Sequence, residues 1–117
     1  MQGKRLERVN QLIKEEISML LQRELKDPRL GFVTVTEVET SKDLRAAKIF
    51  VSVLGDAAQW KASMAALESA RGFVRNWLRH HLDLRVTPEL DFRPDHSLEH
   101  AARIQTLLRR LNEDATS

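Results

Sequence analysis

Two alternating runs joined by four turn residues constrain this chain most. Phe32-Val33-Thr34-Val35-Thr36-Glu37-Val38 is rich in β-branched residues and alternates along its length, the pattern of a strand with one buried face. Ala47, Ile49, Val51 and Val53 alternate with Lys48, Phe50 and Ser52, a second strand of the same kind. Thr40-Ser41-Lys42-Asp43 between them is turn chemistry. So short a connection predicts an antiparallel hairpin.

The flanking segments have a different period. Leu6, Val9, Leu12, Ile13, Ile17, Leu20, Leu21 and Leu25 recur at three- and four-residue spacing, which predicts an amphipathic helix over 4–26. Asp27-Pro28 should end it, because proline lacks the needed donor and keeps its predecessor out of the helical region. After Gly55, Asp56 can cap a second helix. Its stripe is Trp60, Met64 and Leu67, extends to Ala70, and resumes at Phe73, Val74, Trp77, Leu78 and His81 or Leu82. Both tryptophans lie on that stripe and are expected in the core. A mid-helix glycine costs about 1 kcal/mol relative to alanine, so Gly72 predicts a bend or a close backbone approach at Ala70-Arg71-Gly72.

Glu89-Leu90-Asp91-Phe92-Arg93 alternates as a third short strand after Thr87-Pro88. Asp95 can cap a last helix on Leu98, Ala101, Ile104, Leu108 and Leu111, with residues 112–117 expected to fray. The order α-β-β-α-(bend)-α-β-α is an α+β fold, with helices covering one face of a three-stranded sheet. Residues 1–117 read as a single domain, too short for two cores.

Composition narrows the function classes. The chain has no cysteine, which removes disulfides, thiolate metal sites and cysteine nucleophiles and suits a reducing, cytoplasmic setting. The N-terminal charges are followed by no apolar run, so no signal peptide is expected. No stretch approaches the ~18 apolar residues of a membrane span. With no large apolar surplus evident, a monomer is expected. Net charge is only +2, but it is unevenly placed. Lys4, Arg5, Arg8 and Lys14 face only Glu7 within 1–14, and Arg71, Arg75, Arg79 and Arg85 face only Asp83 within 71–85. Residues 86–117 hold four basic and six acidic side chains. That distribution predicts one basic side.

Arg71, Arg75 and Arg79 recur every four residues, so on a helix they form a row. Each guanidinium presents a planar fork of donors suited to phosphate. A solvated helix face is the alternative use of the same residues.

An ordered set of segments resembles the ribosome-binding factor A family, bacterial small-subunit assembly factors. These are Arg8-Val9-Asn10, Lys26-Asp27-Pro28-Arg29-Leu30 before Val33-Thr34-Val35-Thr36, and Ser41-Lys42-Asp43-Leu44 before Ala47-Lys48-Ile49-Phe50-Val51-Ser52. Ala70-Arg71-Gly72-Phe73-Val74-Arg75, then Pro88-Glu89-Leu90-Asp91-Phe92 and Asp95-His96-Ser97-Leu98, complete the set across roughly residues 4 to 111. The resemblance implies a type II KH-like fold whose Ala-x-Gly kink, here Ala70 and Gly72, replaces the Gly-x-x-Gly loop of ordinary KH domains. It also implies binding to the small (30S) ribosomal subunit and 16S rRNA, promotion of 16S rRNA 5′-end maturation, a role in the cold, and for some members release by a GTPase. Ala101 departs from relatives that often carry glycine there. On this reading Arg71, Arg75 and Arg79 contact RNA, with Arg5, Arg8, Arg45 and Lys48 as secondary candidates and no cofactor or metal.

Two rival classes are legible. His96-Ser97-Leu98-Glu99-His100 fits the H-x-x-E-H metallopeptidase pattern, although only Glu113 and Asp114 follow as acidic third ligands. Leu12, Leu21 and Leu25 widen the first helix's stripe, as a protein-interaction module docking through that helix would need.

Overall fold

The computed structural model describes residues 2–116, in the order α1 (Gln2–Arg23), β1 (Phe32–Thr40), β2 (Ala46–Leu54), α2 (Ala57–His81), β3 (Glu89–Pro94) and α3 (Ser97–Thr116). The sheet order is β1-β2-β3. β1 and β2 form the expected antiparallel hairpin, with Val35 opposite Val51 and Thr40 opposite Ala47. β3 joins β2 in parallel, Ala46 opposite Glu89 and Ile49 opposite Phe92. A parallel neighbour needs a long crossover, and α2 is that crossover.

One face of the sheet carries Val35, Val38, Ala47, Ile49, Val51, Leu90 and Phe92 into the core. Ile13, Ile17, Leu20 and Leu21 of α1 and Leu67, Val74 and Leu78 of α2 close over it. Completely burying side chains of this size contributes about 1.5–3 kcal/mol each. Ser63, fully buried on α2, accepts from the Gly31 amide at 3.1 Å and donates to the Arg29 carbonyl at 3.4 Å. The α1–β1 connection is thereby tied to α2.

α1 stops at Arg23, ahead of the expected 26. Its end is closed by Leu20, whose carbonyl accepts from the Glu24 and Leu25 amides. Asp27 then organises a turn of its own, accepting from the Arg29 amide and guanidinium. These bonds hold its carboxyl below the ordinary value, the Arg29 side chain being the main cause. Leu25 packs partly buried against the core and Leu21 is buried, so the apolar edge expected to dock a partner is used internally. Only Leu12 of the three is exposed.

Gly55 adopts φ 151°, where an added Cβ would run into the Gln59 side chain. The next residue, Asp56, caps α2 through a reciprocal box with Gln59. The helix then runs unbroken for 25 residues through Ala70, Arg71 and Gly72, so the expected helix pair is one element. Gly72 is exposed, and a Cβ there would meet nothing within 4 Å. The expected close backbone approach is absent there.

α3 departs from the rest. The helix starts at Ser97, its first bond running from the His100 amide to the His96 carbonyl, so His96 and not the expected Asp95 takes the cap position; Asp95, one residue earlier, accepts from the Ser97 amide at 2.9 Å. The helix continues to Thr116, through the segment expected to fray. All residues of 101–115 are exposed, including Ile104, Leu107, Leu108 and Leu111. Sheet cover is therefore the work of α1 and α2 alone. The exposed stripe of α3, with Phe32 and Leu54 also exposed, removes the premise on which a monomer was expected. No described helix is long and apolar enough to cross a membrane.

Candidate nucleic-acid interface

α2 does place Arg71, Arg75 and Arg79 together, around a shallow depression of about 490 Å³ shared with Glu68 and Glu89. Their roles differ. Arg75 is only 31% exposed; its Nε donates to the Pro88 carbonyl at 3.1 Å and its Nη2 to the Thr87 carbonyl at 2.9 Å. Glu89 lies 3.6 Å from the same guanidinium. Arg75 thus fastens the α2–β3 loop through its Nε and Nη2 donors. Arg71 pairs with Glu68 one turn back at 3.2 Å, half-exposed, a pair that costs little to open. Arg79 is exposed and has no ion-pair partner among the described residues.

A second basic cluster forms at the opposite end of the hairpin from α3. Asn10 of α1 accepts from the Thr40 amide at 3.0 Å and from the Thr40 hydroxyl. That fixes the start of α1 beside the β1–β2 turn. The Glu89 amide donates to the Arg45 carbonyl at 2.8 Å, drawing the end of the α2–β3 loop to the same place. Between these three segments lies a hollow of about 450 Å³ bordered by Arg5, Lys42, Arg45 and Arg85. Its apolar lining comes from Leu6, Val9, Leu44 and Val86.

The turn is tightly specified. Asp43 Oδ1 accepts from the Ser41 hydroxyl at 2.7 Å and the Arg45 amide at 3.1 Å, and these bonds, the Ser41 hydroxyl first, depress its pKa. The Leu44 amide donates to the Ser41 carbonyl at 2.9 Å. Leu44 itself stands at φ 62°, a left-handed conformation that costs a leucine roughly 1–2 kcal/mol. Such strain persists only where surrounding bonds over-determine it.

Of the secondary candidates, Arg5 and Arg45 therefore meet. Arg8 is exposed on α1 but borders neither depression. Lys48 lies on the outer sheet face, opposite Glu39 on one side and Asp91 on the other. Cross-strand carboxylates on both sides make it a poor phosphate anchor. Lys42 and Arg85 were not singled out from the sequence. Arg85 belonged to a visible basic block, but its convergence with residues eighty positions earlier has no local signature. Lys42 read only as part of a turn.

The H-x-x-E-H segment is engaged otherwise. Glu99 accepts from the Trp60 indole at 2.8 Å and lies 3.2 Å from His96 Nδ1. The His96 ring rests 4.2 Å from that of Trp60. Among the described residues no group of three or more potential ligands could hold a metal ion. Trp77, half-buried, donates to Glu16 at 2.9 Å and stacks on His81 at 3.8 Å, so both indoles are committed to internal packing.

Comparison with known proteins gives a consistent result. The family model "Ribosome-binding factor A" matches residues 5–108. A ribosome-binding factor A from Halothermothrix orenii is 48% identical over 117 residues, covering 100% of this chain and 96% of that protein. The crystal structure of ribosome-binding factor A from Thermus thermophilus superposes with TM-score 0.68 at 26% identity, covering 76% of this chain and 94% of that one. A homology model of the Thermus thermophilus factor, fitted into a cryo-EM map of a 30S complex, matches with TM-score 0.63 at 26% identity, covering 74% and 91%.

Proposed function

The chain belongs to the ribosome-binding factor A family, and from that premise we propose that it is a non-enzymatic assembly factor of the small ribosomal subunit. It binds the subunit through 16S rRNA, promotes maturation of that RNA's 5′ end, acts in the cytoplasm, and matters most in the cold. A ribosome-assembly GTPase is the expected agent of release. The observation that carries the reading is the convergence of Arg5, Lys42, Arg45 and Arg85, from three separate segments, on one hollow. With Arg71 and Arg79 on α2, these side chains offer phosphate contacts, which supply affinity and salt dependence rather than base specificity. The relative fitted into a 30S complex supports the choice of particle.

The test is co-sedimentation with isolated small subunits, large subunits and joined ribosomes at low and moderate salt. Salt-sensitive pelleting with small subunits alone is the expected result. Folded protein that pellets with no particle overturns the reading.

A further inference from the structure

The hollow between α1, the β1–β2 turn and the α2–β3 loop combines two chemistries. Four cationic side chains border it, against one carboxylate, Asp43. One oxygen of that carboxylate accepts from the Ser41 hydroxyl and the Arg45 amide, and the other lies 4.0 Å from the Arg45 guanidinium, an exposed pair that costs little to open. Arg5, Lys42 and Arg85 have no ion-pair partner among the described residues. A site for a bare anion needs donors only. Here Leu44 and Val86 add an apolar wall, Leu44 half-buried and presented from a left-handed backbone. At about 450 Å³ the space lies within the range of small-ligand pockets, far too small for a duplex.

A ligand complementary to both parts carries negative charge beside a flat apolar group. In a folded RNA that description fits a nucleotide out of its stack, the form in which proteins read RNA most selectively. We propose that this hollow receives one unpaired nucleotide of single-stranded RNA, its base against Leu44 and Val86 and its flanking phosphates on Arg5, Arg45 and Arg85. The inference rests on the RNA-binding reading above and names what that surface takes. Arg75 acts in it as a positioning residue, because its bonds to the Thr87 and Pro88 carbonyls hold the loop that carries Arg85 and Val86.

The experiment compares three short oligoribonucleotides by fluorescence anisotropy at fixed salt: a single strand, a strand of the same length that is abasic throughout, and a duplex. The intact single strand should bind more tightly than the abasic one, because only it can bury a base face against Leu44 and Val86. Val86→Ser strips the apolar wall without changing charge; Val86 is exposed and outside the core. It should reduce the intact strand to the abasic level, and circular dichroism checks its fold. Arg85→Glu should weaken all three ligands and flatten the salt dependence.

Equal binding of intact and abasic strands overturns the proposal. So does a base preference that survives Val86→Ser, or displacement of the RNA by a glutamate-rich peptide at equal concentration. Small-subunit co-sedimentation of the same preparations separates the two readings. Wild-type protein that pellets but shows no base preference sinks the hollow alone. Base-selective binding without pelleting upholds the hollow and removes the subunit as its target.

Discussion

Arg75 and Pro88 are joined by a hydrogen bond from the guanidinium Nε to the proline carbonyl, 3.1 Å long, between a helix and the loop thirteen residues later. With the parallel bond to Thr87 at 2.9 Å, it makes Arg75 a structural clamp. Charged donors to carbonyls contribute about 1.5–3 kcal/mol where partly buried. Arg75→Ala should therefore lower unfolding free energy by about 2 kcal/mol, read by urea denaturation. A change indistinguishable from that of Arg79→Ala, expected within about 0.5 kcal/mol of wild type, would remove the clamp.

Because Arg75 holds the fold, a triple charge reversal of the α2 row would confuse unfolding with lost binding. Arg71→Glu with Arg79→Glu is the informative pair. Both side chains are exposed, so the variant should keep wild-type stability and lose small-subunit pelleting, with a shallower salt dependence. Undiminished pelleting would show that α2 does not face the RNA.

Gly72 supplies a prediction of opposite sign. It is exposed within an unbroken helix and its Cβ position is open. Gly72→Ala should raise stability by about 1 kcal/mol, the propensity difference. A destabilised alanine variant in thermal melts would mean that the backbone at Ala70-Arg71-Gly72 needs glycine after all.

Asp95 links the sheet to α3, accepting from the Thr36 hydroxyl at 2.6 Å and from Ser97. Those bonds lower its pKa from 3.8, the Thr36 hydroxyl contributing most. A depressed carboxyl stabilises the fold above its unfolded pKa, and that stabilisation disappears as pH falls through the lower folded value. Wild type should therefore lose stability more steeply than Thr36→Val as pH drops below about 4, the ordinary aspartate range. Parallel acid limbs in urea titrations would exclude the Thr36–Asp95 bond as the cause.

The first turn of α3 is held by Trp60 and Glu99, whose side chains meet at 2.8 Å. Glu99→Ala should speed amide exchange in residues 97–103 while leaving the core amides of β2 protected. Uniform acceleration across β2 would show that α3 stabilises the whole domain.

Much of the architecture was readable along the chain. The hairpin, the third strand, the Asp56 cap and the core stripes of α1 and α2 all depend on neighbours within four residues. Periodicity and capping act over that range. The error at α3 has the same origin. Its apolar stripe satisfies the helical pattern as fully as that of α1, and the pattern carries no information about whether a partner face exists.

Where α1, β1, β2, α2, β3 and α3 fall along the chain was determined by the sequence itself, apart from the end of α1, the unbroken course of α2 and the length of α3, because local sterics and burial periodicity decide it. So was the pair of basic blocks. The tertiary structure alone decided which cations meet. It spends Arg75 on the loop carbonyls, flanks Lys48 with carboxylates across the strands, and brings Arg5 to Arg85 around the Leu44 turn. Those outcomes depend on sheet register and loop closure between distant segments, and no local spacing encodes the distance between two side chains eighty residues apart.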